Sequence, residues 1–182
     1  DTEWRVEYSE LGAKEPWVFA SRTMRRVIGR LKDTCVPLGD ARITTDISQG
    51  LISGASKIYI NERVGRDLYR SRLGDVPKEI ALESALCLSL ISAEDIDPFH
   101  IEKPASEIIY PYEKKGKVIQ PIPLQDLKTK FPLAYKHLKA NEDDLRARDG
   151  GKMDCAHWYT YSRTQNLDRQ SVAKIVIAGT GR

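Results

Sequence analysis

The sequence predicts an α+β fold, one irregular domain with a pair of helices toward the C-terminus. Three observations carry this. Residues 21–33 have an amphipathic helical period, residues 57–60, 107–112 and 117–122 carry apolar patterns of strand type, and helical spacing returns from Leu124. Helices and strands are therefore segregated along the chain rather than alternating, the pattern of α+β rather than α/β proteins. No stretch repeats at a fixed period and none is of low complexity, so solenoids and arrays are set aside.

Taken in order, the first helix has Met24, Val27, Ile28 and Leu31 at i, i+3, i+4 and i+7, Ser21 placed to cap it, and arginines on the opposite face. Gly29 weakens it by about 1 kcal/mol relative to alanine. "VPLGDARITTDISQGLISGASKIYIN" loses that period, gains Gly39, Gly50 and Gly54, and reads as loop and turn ending in a strand at 57–60. "EIALESALCLSLIS" is apolar on most sides and fits a buried helix or a buried strand equally, with Pro98 and Pro104 marking a break after it. Residues 107–112 and 117–122 read as two strands joined by "EKKG", a turn with a basic tip. Pro132 suits a first helical turn, Ala134, Tyr135, Leu138 and Leu145 keep roughly heptad spacing with Phe131, and "ARDGGK" ends the helical part. Finally, Trp158, Tyr159 and Tyr161 alternate as a half-buried strand would. Residues 174–177 read as another strand, which places Trp158 and residues 175–177 in the core.

At 182 residues, with 41% hydrophobic and 30% charged side chains, the chain fits one soluble globular domain. Its longest apolar stretch, near residues 85–91, is far short of the roughly 20 residues of a membrane span. The N-terminus has no basic, apolar, small-residue signal, so an intracellular location is expected. Cys35, Cys87 and Cys155 form an odd set without a close pair, which argues against a disulfide framework. Cys155 and His157 stand one residue apart, but only three histidines occur, so no metal site is expected. The net charge of +3 is segregated. Arg22, Arg25, Arg26, Arg30 and Lys32 cluster without an acid, seven lysines face Glu113 and Asp126 over residues 112–139, and seven acids face Lys103 over residues 79–107. A basic face for a polyanion has this pattern, and so do solvated helix faces.

Enzyme signatures are absent from the sequence: no G-x-x-x-x-G-K loop, no G-x-G-x-x-G opening a helix, no G-x-S-x-G elbow and no H-E-x-x-H. No catalytic or cofactor-binding residue is expected in this chain. "IDPFH" has one proline where the signature of amino-methyltransferases has two. Asp97 followed by Glu113 and Lys115 has the spacing of a Mg²⁺ nuclease, in which the carboxylates hold the ion and the lysine stabilises developing charge; a solvated hairpin tip explains "YEKKGK" as well. Two aromatic and basic sets remain, Lys57, Tyr59, Arg63 and Arg66, and Tyr159, Tyr161, Arg163, Gln165 and Asn166. Arginine pairs bidentately with guanine, and glutamine or asparagine with adenine, so these types suit base edges as well as phosphates. Lys114, Lys115 and Lys117 on the basic turn suit phosphates. A protein-interaction module with solvated basic faces is the remaining alternative.

In chain order, "VPLGDARITTDISQGLISGASKIYIN", "ESALCLSLISAEDI", "IIYPYEKKGKVIQPIPLQDLKTKFPLAYKHLKANEDDLRARD" and "WYTYSRTQNLDRQSVAKIVIAG" resemble four blocks of the TaqI-like C-terminal specificity domain of adenine-N6 DNA methyltransferases and fused restriction–modification enzymes. The resemblance covers about residues 34–178. In that family a catalytic domain binds S-adenosylmethionine and methylates a flipped adenine while the specificity domain grips the duplex. For this chain the resemblance implies a target-recognition domain spanning residues 1–182, an irregular β-rich body with helices and a C-terminal helical hairpin over residues 124–148, excised from the C-terminal part of a longer methyltransferase. Its partners would be double-stranded DNA and the parent's methyltransferase domain, and it would catalyse nothing alone. Gly50, Ser53 and Gly54 match the family's turn, Lys57 and Tyr59 the following strand, and Trp158, Tyr159, Arg163 and Gln165 the closing block. In the second block, where relatives tend to carry a basic residue, this chain has Ala93, Glu94 and Asp95, whose charge disfavours a phosphate contact.

Overall fold

The computed structural model describes residues 19–97, 100–101 and 103–177, so Pro98 and the closing "GTGR" lie outside the described residues. The chain divides into two compact units, residues 1–48 and 49–182. The first contains α1 (Arg22–Thr34), which starts where its sequence indicates, with Ser21 Oγ accepting the Met24 N–H at 3.3 Å. Its apolar stripe is not buried: Met24, Val27 and Leu31 are each about half exposed.

The second unit begins with α2 (Ser56–Tyr59), a single turn, and β1 (Ile60–Gly65). Residues 57–59 therefore close a helical turn where a strand was expected. The carbonyl of Ala55 accepts the N–H groups of Ile58 and Tyr59, and both side chains point inward. A strand, whose side chains alternate between faces, would have turned one of them outward. β2 (Leu68–Ser71), β3 (Lys78–Ala81) and β4 (Cys87–Ser89) follow, with a 3₁₀ turn at Ser84–Leu86, so the ambiguous apolar run resolves into two short strands and a turn. β5 (Ile96–Asp97) and β6 (His100–Ile101) form a small ribbon, and β7 (Ser106–Ile109) returns to the main sheet. That sheet is antiparallel in the order β3-β2-β1-β7-β4.

The long strand expected at 107–112 is broken at Tyr110 and Pro111, where the chain leaves the main sheet. It then forms a hairpin of β8 (Tyr112–Lys115) and β9 (Val118–Pro121), turning at Gly116 with φ +65°. Three helices replace the expected hairpin of two: α3 (Leu124–Lys130), α4 (Pro132–Ala140) and α5 (Glu142–Ala147). The first break falls at Phe131, because Pro132 has no N–H to donate and disfavours helical geometry in the residue before it. Glu83, 50 residues upstream, caps α4 by accepting the N–H groups of Leu133 and Ala134 at 2.8 and 2.9 Å. Leu127, Ala134, Leu138 and Leu145 pack into one core with Ile58, Tyr59, Tyr69, Ile108 and Ile109. Glu107 is buried there, accepting from the Tyr69 hydroxyl at 2.7 Å and the Arg63 guanidinium at 3.1 Å.

The C-terminal expectation is half overturned. Trp158 is core, but no strand forms among the described residues after β9, and Ile175 and Ile177 are 81% and 67% exposed. An apolar run becomes a strand only where a sheet edge takes it up, and none does here.

Candidate nucleic-acid interface

Residues 158–167 are buried in part yet run mostly through turns, so several of their backbone groups lack sheet or helix partners and are met by side chains. Tyrosines and one arginine meet them. Tyr59 donates to the carbonyl of Tyr159 at 2.8 Å, Tyr110 donates to that of Leu167 at 3.0 Å, and the Tyr112 hydroxyl accepts the Tyr161 N–H at 2.7 Å. In return, Tyr159 donates to the Ile122 carbonyl and Tyr161 to that of Ile109, at 2.7 and 2.6 Å. The rings of Tyr59, Tyr110 and Tyr112 pack edge-on against Tyr161. Burial pushes the Tyr112 hydroxyl up to about 12 and raises those of Tyr59 and Tyr161 well above the usual phenol range, so all three remain neutral hydrogen-bonding groups near neutral pH.

Arg148 is buried without a carboxylate partner among the described residues, its guanidinium directed wholly at carbonyls: Leu145 at 2.8 Å, Ser53 at 2.6 Å, Trp158 at 2.6 Å and Thr160 at 2.9 Å. It also lies over the Tyr59 ring at 5.5 Å. These bonds draw residues 52–54 against residues 160–163. There the Ser162 N–H donates to Ser53 O at 3.2 Å and the Arg163 N–H to Ile52 O at 3.4 Å. Gly54 permits the approach. Its φ is +75°, and a Cβ there would stand 2.0 Å from Ser162 Oγ.

The result is an open cleft of about 410 Å³ lined by Gln49, Gly50, Ile52, Arg163, Gln165 and Asn166. Two sequence blocks more than a hundred residues apart thus form opposite walls. Asn166, in left-handed geometry at φ 62°, donates from Nδ2 to the Gln49 carbonyl at 3.0 Å across the cleft. The Arg163 guanidinium and the Gln165 amide are exposed and have no hydrogen-bond partner among the described residues.

Of the residues singled out from sequence, Arg163, Gln165 and Asn166 meet at this cleft. Tyr59, Tyr159 and Tyr161 do not: they are at most 1% exposed and hold the core, leaving no face for a ligand. Ser53 is buried behind the cleft, contributing its carbonyl to Arg148 and Ser162. Arg63 is tied to Glu107, with its guanidinium still half exposed. Lys57 is exposed on α2, and Lys114, Lys115 and Lys117 are exposed at the hairpin turn. The residues of the nuclease reading lie on different elements. Asp97 lies on β5 and Glu113 on β8, in separate two-stranded sheets, and Glu113 accepts from Gln120 at 3.0 Å. Among the described residues no three His, Cys, Asp or Glu side chains gather in a way that could hold a metal. Gln49, Ile52 and Arg148 were not singled out from sequence. Gln49 and Ile52 flank a glycine that was, whereas nothing local marks Arg148.

No family model matches the chain. It is similar to the type II methyltransferase M.BstVI of Geobacillus stearothermophilus, with 23% identity over 145 residues, or 80% of this chain and 22% of that protein. It is also similar to the type II restriction enzyme and methyltransferase RM.Eco57I of Escherichia coli, with 26% identity over 152 residues, or 78% of this chain and 15% of that protein. The chain is thus distantly similar to proteins named as type II methyltransferases and spans about a fifth or less of their length. No helix among the described residues is long and apolar enough to cross a membrane.

Proposed function

We propose that this chain is the target-recognition domain of a restriction–modification adenine-N6 DNA methyltransferase, and that it binds double-stranded DNA through the cleft between residues 49–52 and 163–166. The observation that carries the reading is the pair Arg163 and Gln165. Both side chains are exposed, without protein partners among the described residues, at the mouth of a cleft whose walls are fixed by buried hydrogen bonds. A guanidinium and an amide presented this way match the bidentate acceptor and donor patterns of guanine and adenine in the major groove. Lys57 and the hairpin lysines would meet phosphates and fix the register on the duplex. The kinship with enzymes named as type II methyltransferases supports DNA as the partner.

Catalysis would belong to a separate methyltransferase domain of the parent enzyme, acting in the cytoplasm of a bacterial or archaeal cell. No residue of this chain is assigned to S-adenosylmethionine, since the sequence offers no glycine-rich cradle opening a helix. The reading is tested by selecting duplexes from a random pool with the full chain at low salt. Wild type should enrich a defined motif, and Arg163→Ala and Gln165→Ala should each lose preference at one position, worth about 1–3 kcal/mol. A pool that stays unenriched at every salt concentration would sink the proposal.

A further inference from the structure

Resting on that reading, we infer that Arg148 and Asn166 are the positioning residues of the cleft: they set its two walls in register and read no base themselves. Asn166 has the side chain of an adenine reader, but one of its two Nδ2 N–H groups is spent on the Gln49 carbonyl at 3.0 Å, a bond that ties one wall to the other and that a swing of the amide toward a base would break. Its left-handed backbone at φ 62° holds that orientation, a geometry asparagine adopts more readily than most residues. Arg148 acts from behind. A buried guanidinium with no carboxylate partner is costly unless its donors are met, and here they are met by carbonyls of three separate segments. Ser53 and Thr160 belong to the two strips of chain that lead into opposite walls of the cleft, so one planar group spaces both. Lysine has a single nitrogen and cannot bridge the same carbonyls in a fixed fork.

The two roles predict different signatures. A reader loses preference in one column of the selected motif; a positioning residue weakens every column together and leaves the preferred bases unchanged. Asn166→Gly keeps the left-handed backbone and removes only the amide, and Arg148→Lys keeps the charge and removes the fork. In the selection above, each should weaken binding to the wild-type motif by about tenfold, the effect of one lost hydrogen bond of upper-range worth, with the motif itself retained. A change confined to one column in Asn166→Gly, or undiminished binding by both variants, would overturn the inference. Failure of wild type to select any motif would count against the proposed function instead. The ties themselves are then still tested without DNA, by amide hydrogen exchange on the full chain. The Ser162 N–H, which points at Ser53 O, should exchange faster in Arg148→Lys, and unaltered protection there would refute the positioning role. If Arg148→Lys fails to fold, Asn166→Gly at its partly exposed site decides the question alone.

Discussion

Gly54→Ala is the substitution that most directly tests how the cleft is built. At φ +75° an alanine is held in left-handed geometry, which costs about 1–2 kcal/mol. Its Cβ would also stand 2.0 Å from Ser162 Oγ and 2.8 Å from Ser162 Cβ, and the second contact cannot be relieved by rotating the hydroxyl. Either residues 53–54 or residue 162 must retreat, stretching the bond from the Ser162 N–H to Ser53 O, and overpacking of this kind adds about 1–3 kcal/mol. The expected loss is therefore about 2–5 kcal/mol. Unfolding in denaturant, followed by near-ultraviolet circular dichroism of the buried tyrosines, measures it as a shift in midpoint at unchanged slope. Adding Ser162→Gly removes both clashing atoms while leaving the backbone strain, so the double variant should recover the overpacking part alone and show a coupling of about 1–3 kcal/mol. Stability of Gly54→Ala within about 0.5 kcal/mol of wild type, or no recovery on adding Ser162→Gly, would refute the close approach of the two walls.

Other outcomes follow from the same contacts. Glu83→Ala leaves the first N–H groups of α4 without their carboxylate and should cost about 1 kcal/mol, while Glu83→Gln retains part of the cap; equal stability of all three proteins would deny that Glu83 caps the helix. The buried tyrosines titrate higher in the folded than in the unfolded chain, so their contribution is complete below about pH 10 and is lost as pH rises toward the value of about 12 at Tyr112. A pH titration should therefore show part of the tyrosinate absorbance appearing only as tertiary structure is lost; full ionisation in a folded protein would contradict it. If the chain binds DNA as proposed, replacing Lys114, Lys115 and Lys117 by glutamine should flatten the dependence of DNA affinity on salt, by a slope of roughly 0.9 for each lysine that meets a phosphate. An unchanged slope would remove the hairpin from the interface.

What could be read in advance divides by the range of the forces involved. α1 and the helical stretch after Leu124 were legible because periodicity, Ser21 and Pro132 act within a few residues. Arg163 and Gln165 were legible as candidates because they are polar types beyond any apolar pattern. The three tyrosines were not separable from them, since a tyrosine has an apolar ring and a polar tip and serves a core or an interface equally well. Only the fold shows that Tyr59 bonds to Tyr159 O, a residue 100 positions away. The misread strand at 174–177 has the same origin, because strand formation depends on a neighbouring edge that no local pattern reports.

The placement of tyrosines and arginine next to the cleft has a physical reason. A surface that recognises another molecule is best carried on turns, which can present side chains in directions that a sheet or helix cannot. Turns set into a core leave carbonyls and N–H groups that water no longer reaches, and each would cost about 1–3 kcal/mol if unmet. Long, partly apolar side chains with polar tips can cross the core and meet them, as Tyr59, Tyr110, Tyr112 and Arg148 do here. The aromatic residues near 157–167 are thus the support of the cleft rather than its face. Substituting them should lower stability first and impair recognition only in proportion, whereas Arg163 and Gln165, which support nothing, should affect recognition alone.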